Sequence, residues 1–236
     1  MIFVTSDIHG RWEKYRALLE KISTADQNNT IYLLGDFIDR GDDGCKILLD
    51  AMQRPNIIPI LGNHELTAAI CLPWILQEVT DQNLSALREA QFAALQEWIL
   101  NGGTPTLREL KKLSMSKRKA ILEYIREMDV YIEVEAGGRS FLLTHAGLNH
   151  FVPDKPFDEY KLTDYLFGRS ILEQEFYSDK YLVYGHTPTQ ILHKQLGEAP
   201  ANDIIFYKSQ IAIDCGCGFG GPLGCLCLDT MESFYF

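Results

Sequence analysis

The chain has 236 residues, of which 46% are hydrophobic, so it can bury a sizeable core and is not a disordered segment. Its formal net charge of −10 argues against general electrostatic wrapping of nucleic acid. An anionic substrate would therefore need local positive charge, from a metal ion or a few arginines.

The sequence has few features that would indicate export, membrane insertion or disulfide bonding. No stretch approaches the ~18 apolar residues that a membrane helix needs, and strand-like sequence begins at Met1 without a basic leader region. The six cysteines do not form a secreted disulfide framework. Two C-x-C pairs, at 215–217 and 225–227, match no common zinc spacing, so buried thiols are favoured over a zinc site. We expect a soluble, cytoplasmic protein.

The first third of the chain alternates strands and helices. Strands are predicted at residues 2–5, 31–34 and 57–61, with helices at 12–22 and 45–52 between them. Because strands that alternate with helices usually pair in parallel through right-handed crossovers, this order predicts a parallel sheet.

Residues 66–128 are rich in Ala, Leu, Gln, Glu and Lys, which favours helices. We predict a helical cap inserted at about 66–128 into a single domain that spans residues 1–236. The expected fold class is α/β, a β-sandwich flanked by helices. Within the cap, helices are predicted near 66–78, 84–100, 105–112 and 116–128, and beyond it strands at 130–135, 140–144, 181–184, 204–207, 211–214 and 225–229.

A polar cluster follows each of the first three strands: D-I-H at 7–9, G-D-F-I-D-R-G at 35–41 and G-N-H-E at 62–65. Two later strands end in the same way, with His145 in T-H-A-G and His186 in G-H-T-P. Because ligand sites in open α/β sheets lie at the carboxyl ends of strands, we expect these five clusters to meet.

Asp7 and His9 form the first cluster. In an extended backbone, residues two apart point to the same side, so a carboxylate and an imidazole would converge there and begin a metal site. The alternative for this stretch alone is a turn-capping Asp before a surface His, but five clusters at strand ends disfavour it. His150 and His193 fall outside every cluster and are predicted to be surface residues.

Together the motifs resemble those of the calcineurin-like metallophosphoesterases. They are more similar to the PPP-type phosphoprotein phosphatases, above all the small bacterial and phage members. The matching segments run from residue 6 to about 221. W-I-L-N-G-G at 98–103 also resembles those members, whereas Ser6 stands where the family usually has Gly.

The resemblance implies two divalent transition-metal ions. Manganese is expected, and iron, zinc or cobalt are alternatives. A metal-bound hydroxide would attack phosphorus in line, and neither a Ser nor a Cys nucleophile is needed. By similarity, the ligands are Asp7 and His9 for the first metal, Asp36 as the bridge, and Asn63, His145 and His186 for the second.

The resemblance also assigns the remaining site residues. His64 would protonate the leaving-group oxygen, and Asp39 would orient it. Arg40 would bind the phosphate through two hydrogen bonds, with Asn63 and a second arginine, Arg169, as further phosphate contacts. The plainer alternatives are a helix-capping His64, a turn-forming Asp39, a salt-bridging Arg40 and a surface Arg169.

The implied activity is metal-dependent phosphomonoester hydrolysis, with phosphoserine or phosphothreonine in a protein as the expected substrate. The closest alternative is a symmetrical diadenosine tetraphosphate hydrolase, which shares the metal motifs. Asp39 and Glu65 favour the phosphatase, whereas D-C-G-C-G-F-G-G at 214–221 resembles the dinucleotide hydrolases. A nuclease is disfavoured by the acidic composition, and a non-catalytic scaffold by the complete ligand set. A small phosphoester is also a possible substrate, but neither nucleic acid nor a membrane is expected as a partner.

Overall fold

The computed structural model describes residues 1–22, 29–78, 80–85, 88–168 and 172–236, and its strands form two mixed sheets. In chain order the strands are β1 (Ile2–Thr5), β2 (Thr30–Leu34), β3 (Ile57–Ile60), β4 (Tyr131–Ala136), β5 (Arg139–Thr144), β6 (Lys180–Tyr184), β7 (Ile205–Tyr207), β8 (Gln210–Ala212), β9 (Gly224–Cys227) and β10 (Ser233–Tyr235). One sheet has the order β10-β9-β1-β2-β3, and the other has the order β4-β5-β6-β8-β7.

Helices connect and cover these sheets. In the described ranges, none of them is long and apolar enough to span a membrane. In chain order they are α1 (Trp12–Ile22), α2 (Gly44–Ala51), α3 (Asn63–Ile75), α4 (Asp81–Ser85), α5 (Glu89–Trp98), α6 (Thr104–Lys112), α7 (Met115–Arg126), α8 (Leu162–Leu166) and α9 (Thr189–Gln195), with a π-helical turn at Ile99–Gly103 between α5 and α6.

The expected α/β sandwich is confirmed. Strands β1, β2 and β3 pair in parallel, and α1 and α2 form their crossovers. Alternate strand residues face opposite ways: Leu34 and Val183 belong to a buried cluster that joins the two sheets, whereas Leu33 and Leu182 pack with the helices. The inter-sheet cluster consists of Val4, Leu34, Ile60, Val134, Ala136, Phe141, Leu143, Val183, Ile204, Ile211, Ile213, Cys215, Leu226 and Leu228.

Three details differ from the sequence prediction. The helix predicted at 66–78 begins at Asn63, because the G-N-H-E cluster itself forms the first turn of α3. The helix predicted at 84–100 is shorter, since α5 covers only Glu89–Trp98, and a separate short helix, α4, ends at Ser85. The short strand β10 was not predicted; it pairs antiparallel with β9, which in turn pairs antiparallel with β1. The C-terminal strands therefore extend the first sheet.

The histidines outside the clusters behave differently from one another. His150 lies at the surface as predicted, with a side chain 83% exposed. The prediction is wrong for His193, which is only 8% exposed. Both of its ring nitrogens have carboxylate partners, at 2.7 Å from Glu198 and 2.8 Å from Asp203, and these partners make burial of the imidazole tolerable. The six cysteines are buried free thiols.

The His193 ion pairs predict a pH-dependent stability. Burial lowers the pKa of His193, but Glu198 and Asp203 raise it more, so the net direction is upward. Stability from a raised pKa is fully present below the ordinary histidine value of about 6.5 and is lost as the pH rises through the folded value. His193→Asn should therefore lower the free energy of unfolding by about 1–2 kcal/mol in weak acid and by less in weak base.

Urea unfolding of both proteins across this pH range measures the difference. His150→Asn is the matched control, since its imidazole is exposed and pairs with the single carboxylate of Asp164. A stability difference between wild type and His193→Asn that stays constant with pH would contradict the prediction.

Candidate metal centre

Five strand ends meet at one place in the sandwich. Asp7 follows β1, Asp36 follows β2, and Asn63 begins α3 just after β3. From the second sheet, His145 follows β5 and His186 follows β6. The structure thus brings the five predicted clusters together at the carboxyl ends of strands from both sheets.

The backbone at this centre is unusual. Within the described residues, ten non-glycine residues have a positive φ, and six of these belong to the predicted site. Such left-handed conformations are costly and persist where the surrounding structure holds them. They also change the reason for one prediction: Asp7 and His9 do converge, but through left-handed turns with φ of 54° and 47° rather than through an extended strand. The six residues are Asp7, His9, Asp36, Asp39, Arg40 and His186.

The first half of the centre is built around His9. Its Nδ1 donates to the Ile38 carbonyl at 2.9 Å, which leaves the Nε2 lone pair facing inward. Nε2 lies 3.6 Å from Asp36 Oδ2 and 3.9 Å from Asp7 Oδ1. Burial lowers the pKa of His9 to about 3, so the imidazole is neutral, as a metal ligand must be.

Asp7 presents one oxygen to this half. Its Oδ2 accepts hydrogen bonds from the His186 backbone N–H at 2.8 Å and from the Ser6 hydroxyl, so Oδ1 remains for the centre. Burial and the neighbouring Asp36 raise the pKa of Asp7 to about 6, which reflects the cost of placing two carboxylates together. The serine that departs from the family pattern therefore supplies an extra donor to a proposed ligand.

The second half contains two imidazoles and one amide. His145 Nδ1 donates to the Leu34 carbonyl at 2.7 Å, so its Nε2 faces inward. This Nε2 lies 2.9 Å from Asn63 Oδ1 and 3.2 Å from His186 Nδ1. Burial lowers the pKa of His186 to about 4, which favours its neutral form. Nitrogen and oxygen lone pairs thus converge here, as borderline divalent metals require.

Asp36 belongs to both halves. Its Oδ1 lies 3.5 Å from His145 Nε2, and its Oδ2 lies 3.6 Å from His9 Nε2. The potential ligand atoms of His9, Asp36 and His64 lie within 4.8 Å of one another, and so do those of Asp36, His145 and His186. Two groups that share one buried carboxylate could hold a pair of divalent cations, and the bridging role of Asp36 remains a prediction.

His64 lies at the border of the first group. Its Nδ1 is 2.6 Å from Asp39 Oδ2, and its Nε2 is 3.7 Å from Asp36 Oδ2. Burial lowers the pKa of His64, but Asp36 and Asp39 raise it more, to about 9. The contact with Asp39 fixes the ring through Nδ1, so Nε2 is the nitrogen that faces the centre.

Arg40 supplies positive charge beside the two imidazoles. Its Nη1 donates toward His9 Nε2, and its Nη2 lies 3.2 Å from His64 Nε2. The guanidinium carbon is 4.5 Å from the centre of the Phe219 ring, which is 67% exposed. The arginine is therefore held by the aromatic face near solvent, where it could reach a phosphate. The second predicted arginine, Arg169, lies outside the described residues.

Sequence reasoning gave no role to several residues that support the site. Glu65 is fully buried and accepts the backbone N–H groups of Asp36 at 2.7 Å and Phe37 at 2.9 Å, so it fixes the loop after β2. Trp98 and Thr106 contact Asp39 from the helical segment. The signal for Trp98 was the W-I-L-N-G-G stretch, but no pattern in one sequence pairs this tryptophan with Asp39, 59 positions earlier.

Comparison with known proteins adds three findings. The model of the calcineurin-like phosphoesterase family matches residues 1–190. A symmetrical bis(5'-nucleosyl)-tetraphosphatase of Wigglesworthia glossinidia brevipalpis is 30% identical over 122 residues, which are 51% of this chain and 42% of that protein. The match thus spans less than half of that relative's length.

Solved structures with the same fold include enzymes of different named activities. One with a provisional assignment as a diadenosine tetraphosphatase has a TM-score of 0.67 at 14% identity, covering all of this chain and 92% of the other. A protein serine/threonine phosphatase of Saccharomyces cerevisiae has a TM-score of 0.53 at 13% identity, covering 95% and 71%. At these identities the likeness concerns the fold alone.

The shared position of Asp36 predicts how metal binding responds to mutation. Elemental analysis of the purified protein should find up to two divalent transition-metal ions per chain. Asp36→Asn should weaken binding of both, because the amide that replaces the carboxylate carries no charge and offers only one oxygen. We expect at least a roughly tenfold loss of affinity for each ion. Removal of a residue that merely supports a metal ligand already lowers affinity by about 10- to 100-fold, so loss of a shared ligand should cost no less.

Asp42→Asn is the matched control, since that carboxylate is exposed and lies close by in sequence. It should keep both ions. Retention of both metals with unchanged affinity in Asp36→Asn would exclude Asp36 as the bridge.

Proposed function

Since the chain belongs to the calcineurin-like phosphoesterase family, we propose that it hydrolyses phosphoserine or phosphothreonine esters in proteins. The observation that carries this proposal is the pairing of Asp39 with His64 beside Arg40. A buried carboxylate lies 2.6 Å from one imidazole nitrogen, and the other nitrogen faces the proposed metal ligands. This arrangement can deliver a proton to a leaving group beside the centre.

Arg40 would bind the substrate phosphate. Its planar guanidinium can form two parallel hydrogen bonds with phosphate oxygens. In the structure its two terminal nitrogens are directed at His9 and His64, so it already faces the centre. Stacking on Phe219 limits the other directions that the guanidinium can take.

His64 would act as the general acid. Its Nε2–H would pass a proton to the leaving-group oxygen as the ester bond breaks. Asp39 holds the Nδ1–H, which fixes the ring orientation and favours the protonated imidazole before the reaction. The carboxylate also stabilises the positive charge that the imidazole carries until the proton leaves.

The proposed ligands would position the metal ions at the base of the site. When bound, two divalent ions supply positive charge to the phosphoryl oxygens and acidify a water molecule for attack. The ligand side chains determine where this chemistry occurs, because His9 and His145 are each fixed by an Nδ1 hydrogen bond to a backbone carbonyl. The residues that would hold the ions are Asp7, His9, Asp36, Asn63, His145 and His186.

The basicity of the leaving group relates this geometry to the class of substrate. Serine and threonine leave as strongly basic alkoxides, so their departure gains much from a positioned proton donor. A dinucleoside tetraphosphate leaves through a phosphate oxygen, which is far less basic and gains less. The Asp39–His64 pair is therefore more useful for a phosphoprotein substrate.

A second candidate is symmetrical hydrolysis of dinucleoside tetraphosphates. The observation in its favour is the match over 122 residues to a protein with that name. The same metal ligands and Arg40 would serve both reactions, because both substrates present a phosphoryl group.

Replacement of the proposed acid should depend on the leaving group. His64→Asn should retain both metals and lose roughly 10²–10⁴-fold in kcat on phenyl phosphate, whose leaving group needs a proton. The loss should be much smaller on 4-nitrophenyl phosphate, whose leaving group is stable as an anion. Steady-state kinetics with elemental analysis of each sample measure both effects, and His150→Asn is the control histidine. If His64→Asn loses a metal ion, His64 is a ligand and its role as acid is wrong.

A substrate panel should separate the two candidate functions. The metal-loaded wild type should cleave a phosphothreonine peptide with a higher kcat/KM than diadenosine tetraphosphate. Asp39→Asn should slow the peptide reaction more than that of 4-nitrophenyl phosphate, whereas Arg40→Ala should slow both because both share the phosphate. A large preference of the wild type for the dinucleotide would support the second candidate and exclude the first.

A further inference from the structure

The carboxylate of Asp39 is fully buried and has partners beyond His64. Its Oδ2 accepts the indole N–H of Trp98 at 2.8 Å as well as the His64 N–H. Its Oδ1 accepts the hydroxyl of Thr106 at 2.6 Å, and that hydroxyl accepts the backbone N–H of Asp39 at 2.9 Å. Trp98 and Thr106 both come from the helical segment between β3 and β4.

The turn that connects Trp98 with Thr106 is fitted closely to the site. Gly102 has a φ of 101°, and its carbonyl accepts the backbone N–H of Arg40 at 2.9 Å. A Cβ at Gly103 would lie 2.5 Å from the Trp98 ring, and one at Gly102 would lie 2.9 Å from Arg40 Cγ. The two glycines thus allow the turn to pack directly against the indole and the arginine.

We propose that Trp98 and Thr106 are positioning residues for proton transfer, which act on His64 through Asp39. A buried carboxylate needs hydrogen-bond partners, and a carboxylate with only one partner could rotate away from the imidazole. The indole and the hydroxyl hold one oxygen each, so Oδ2 stays directed at His64 Nδ1. This inference rests on the proposed role of His64 as general acid.

Trp98 is also fully buried and belongs to the hydrophobic core, so a purely structural role must be separated from a positioning role. A structural role would affect all substrates alike. A positioning role affects mainly the reactions that need a proton. The dependence of rate on the leaving group therefore distinguishes the two.

The first test uses metal-loaded variants, each of which lacks one hydrogen-bonding group. Trp98→Phe keeps an aromatic ring and removes the indole N–H, and Thr106→Val removes the hydroxyl at nearly constant volume. Each should lower kcat on phenyl phosphate by about 5- to 30-fold, a fraction of the full contribution of a general acid. The loss on 4-nitrophenyl phosphate should be less than about threefold, with KM and metal content unchanged. Thr106→Ser should restore most of the activity.

Trp74→Phe is the matched control for the tryptophan. Trp74 lies in α3, and its indole N–H has no hydrogen-bond acceptor in the part of the chain that the structure describes. Its replacement should leave the leaving-group dependence unchanged. Thermal unfolding of each variant checks that the fold is retained, and if Trp98→Phe fails to fold, the two Thr106 variants decide the outcome.

The second test does not depend on activity. The chain has three tryptophans, so a ¹H–¹⁵N spectrum of the metal-free protein should contain three indole resonances. The resonance missing in Trp98→Phe should shift in Asp39→Asn, and the resonance missing in Trp74→Phe should not. A Trp98 resonance that does not respond to Asp39→Asn would overturn the inference.

Equal losses on both aryl phosphates would also overturn it, because they indicate a structural role alone. These failures differ from failure of the proposed function. A wild type that hydrolyses neither aryl phosphate with metal, or a His64→Asn variant without leaving-group dependence, would reject His64 as the acid and the inference with it. If His64→Asn shows the expected dependence on the leaving group but neither Trp98→Phe nor Thr106→Val does, the inference is rejected and the proposed role of His64 is retained.

Discussion

The buried carboxylate of Asp36 is the constraint on which the site depends. It lies between His9 of one half and His145 of the other, at 3.6 Å and 3.5 Å. Such a charge is tolerated in an interior only when positive charge or strong hydrogen bonds compensate it. The surroundings are accordingly tight: a Cβ at Gly62 would lie 2.4 Å from Asp36 Oδ1. Metal ligands, left-handed turns and glycines around it follow from the need to bring donors within reach of one carboxylate.

The sequence predicted the parts of the fold and site that arise from local pattern. Strands followed by polar clusters predicted where the ligands lie, because the carboxyl ends of parallel strands meet. Contacts across long sequence distances were not predictable from one chain. No local signal joins Trp98 to Asp39. The two carboxylates that allow His193 to be buried are close in sequence, but they lie beyond the end of its helix, where no periodic pattern predicts which way the chain turns. The short strand β10 also depends on its partner β9, since three residues alone carry too weak a pattern.

The geometry of the site and the name of the relative point to different substrates. As the proposed general acid pair, Asp39 and His64 would favour a strongly basic leaving group, whereas the relative is named for hydrolysis of dinucleoside tetraphosphates. That relative is matched over only 42% of its length, so its name does not transfer with the match. The proposed metal ligands cannot decide between the two candidate substrates, because the ions that they would hold act on the phosphoryl group that both substrates contain. The decision lies with residues around the leaving group.

His64 and Asp39 lie in the same strand-end clusters as the proposed metal ligands, but Trp98 and Thr106, which hold Asp39, come from a different part of the chain. Ligands follow strands of the two sheets, whose positions are fixed by the inter-sheet core. Trp98, Gly102 and Thr106 belong to the helical segment and contact the site through hydrogen bonds to Asp39 and Arg40. If His64 is the general acid, as proposed, a substitution in this segment can change how a leaving group is protonated without disturbing the proposed metal ligands. Under the proposed function, the sandwich carries the residues for phosphoryl chemistry, and the helical segment tunes the proton donor.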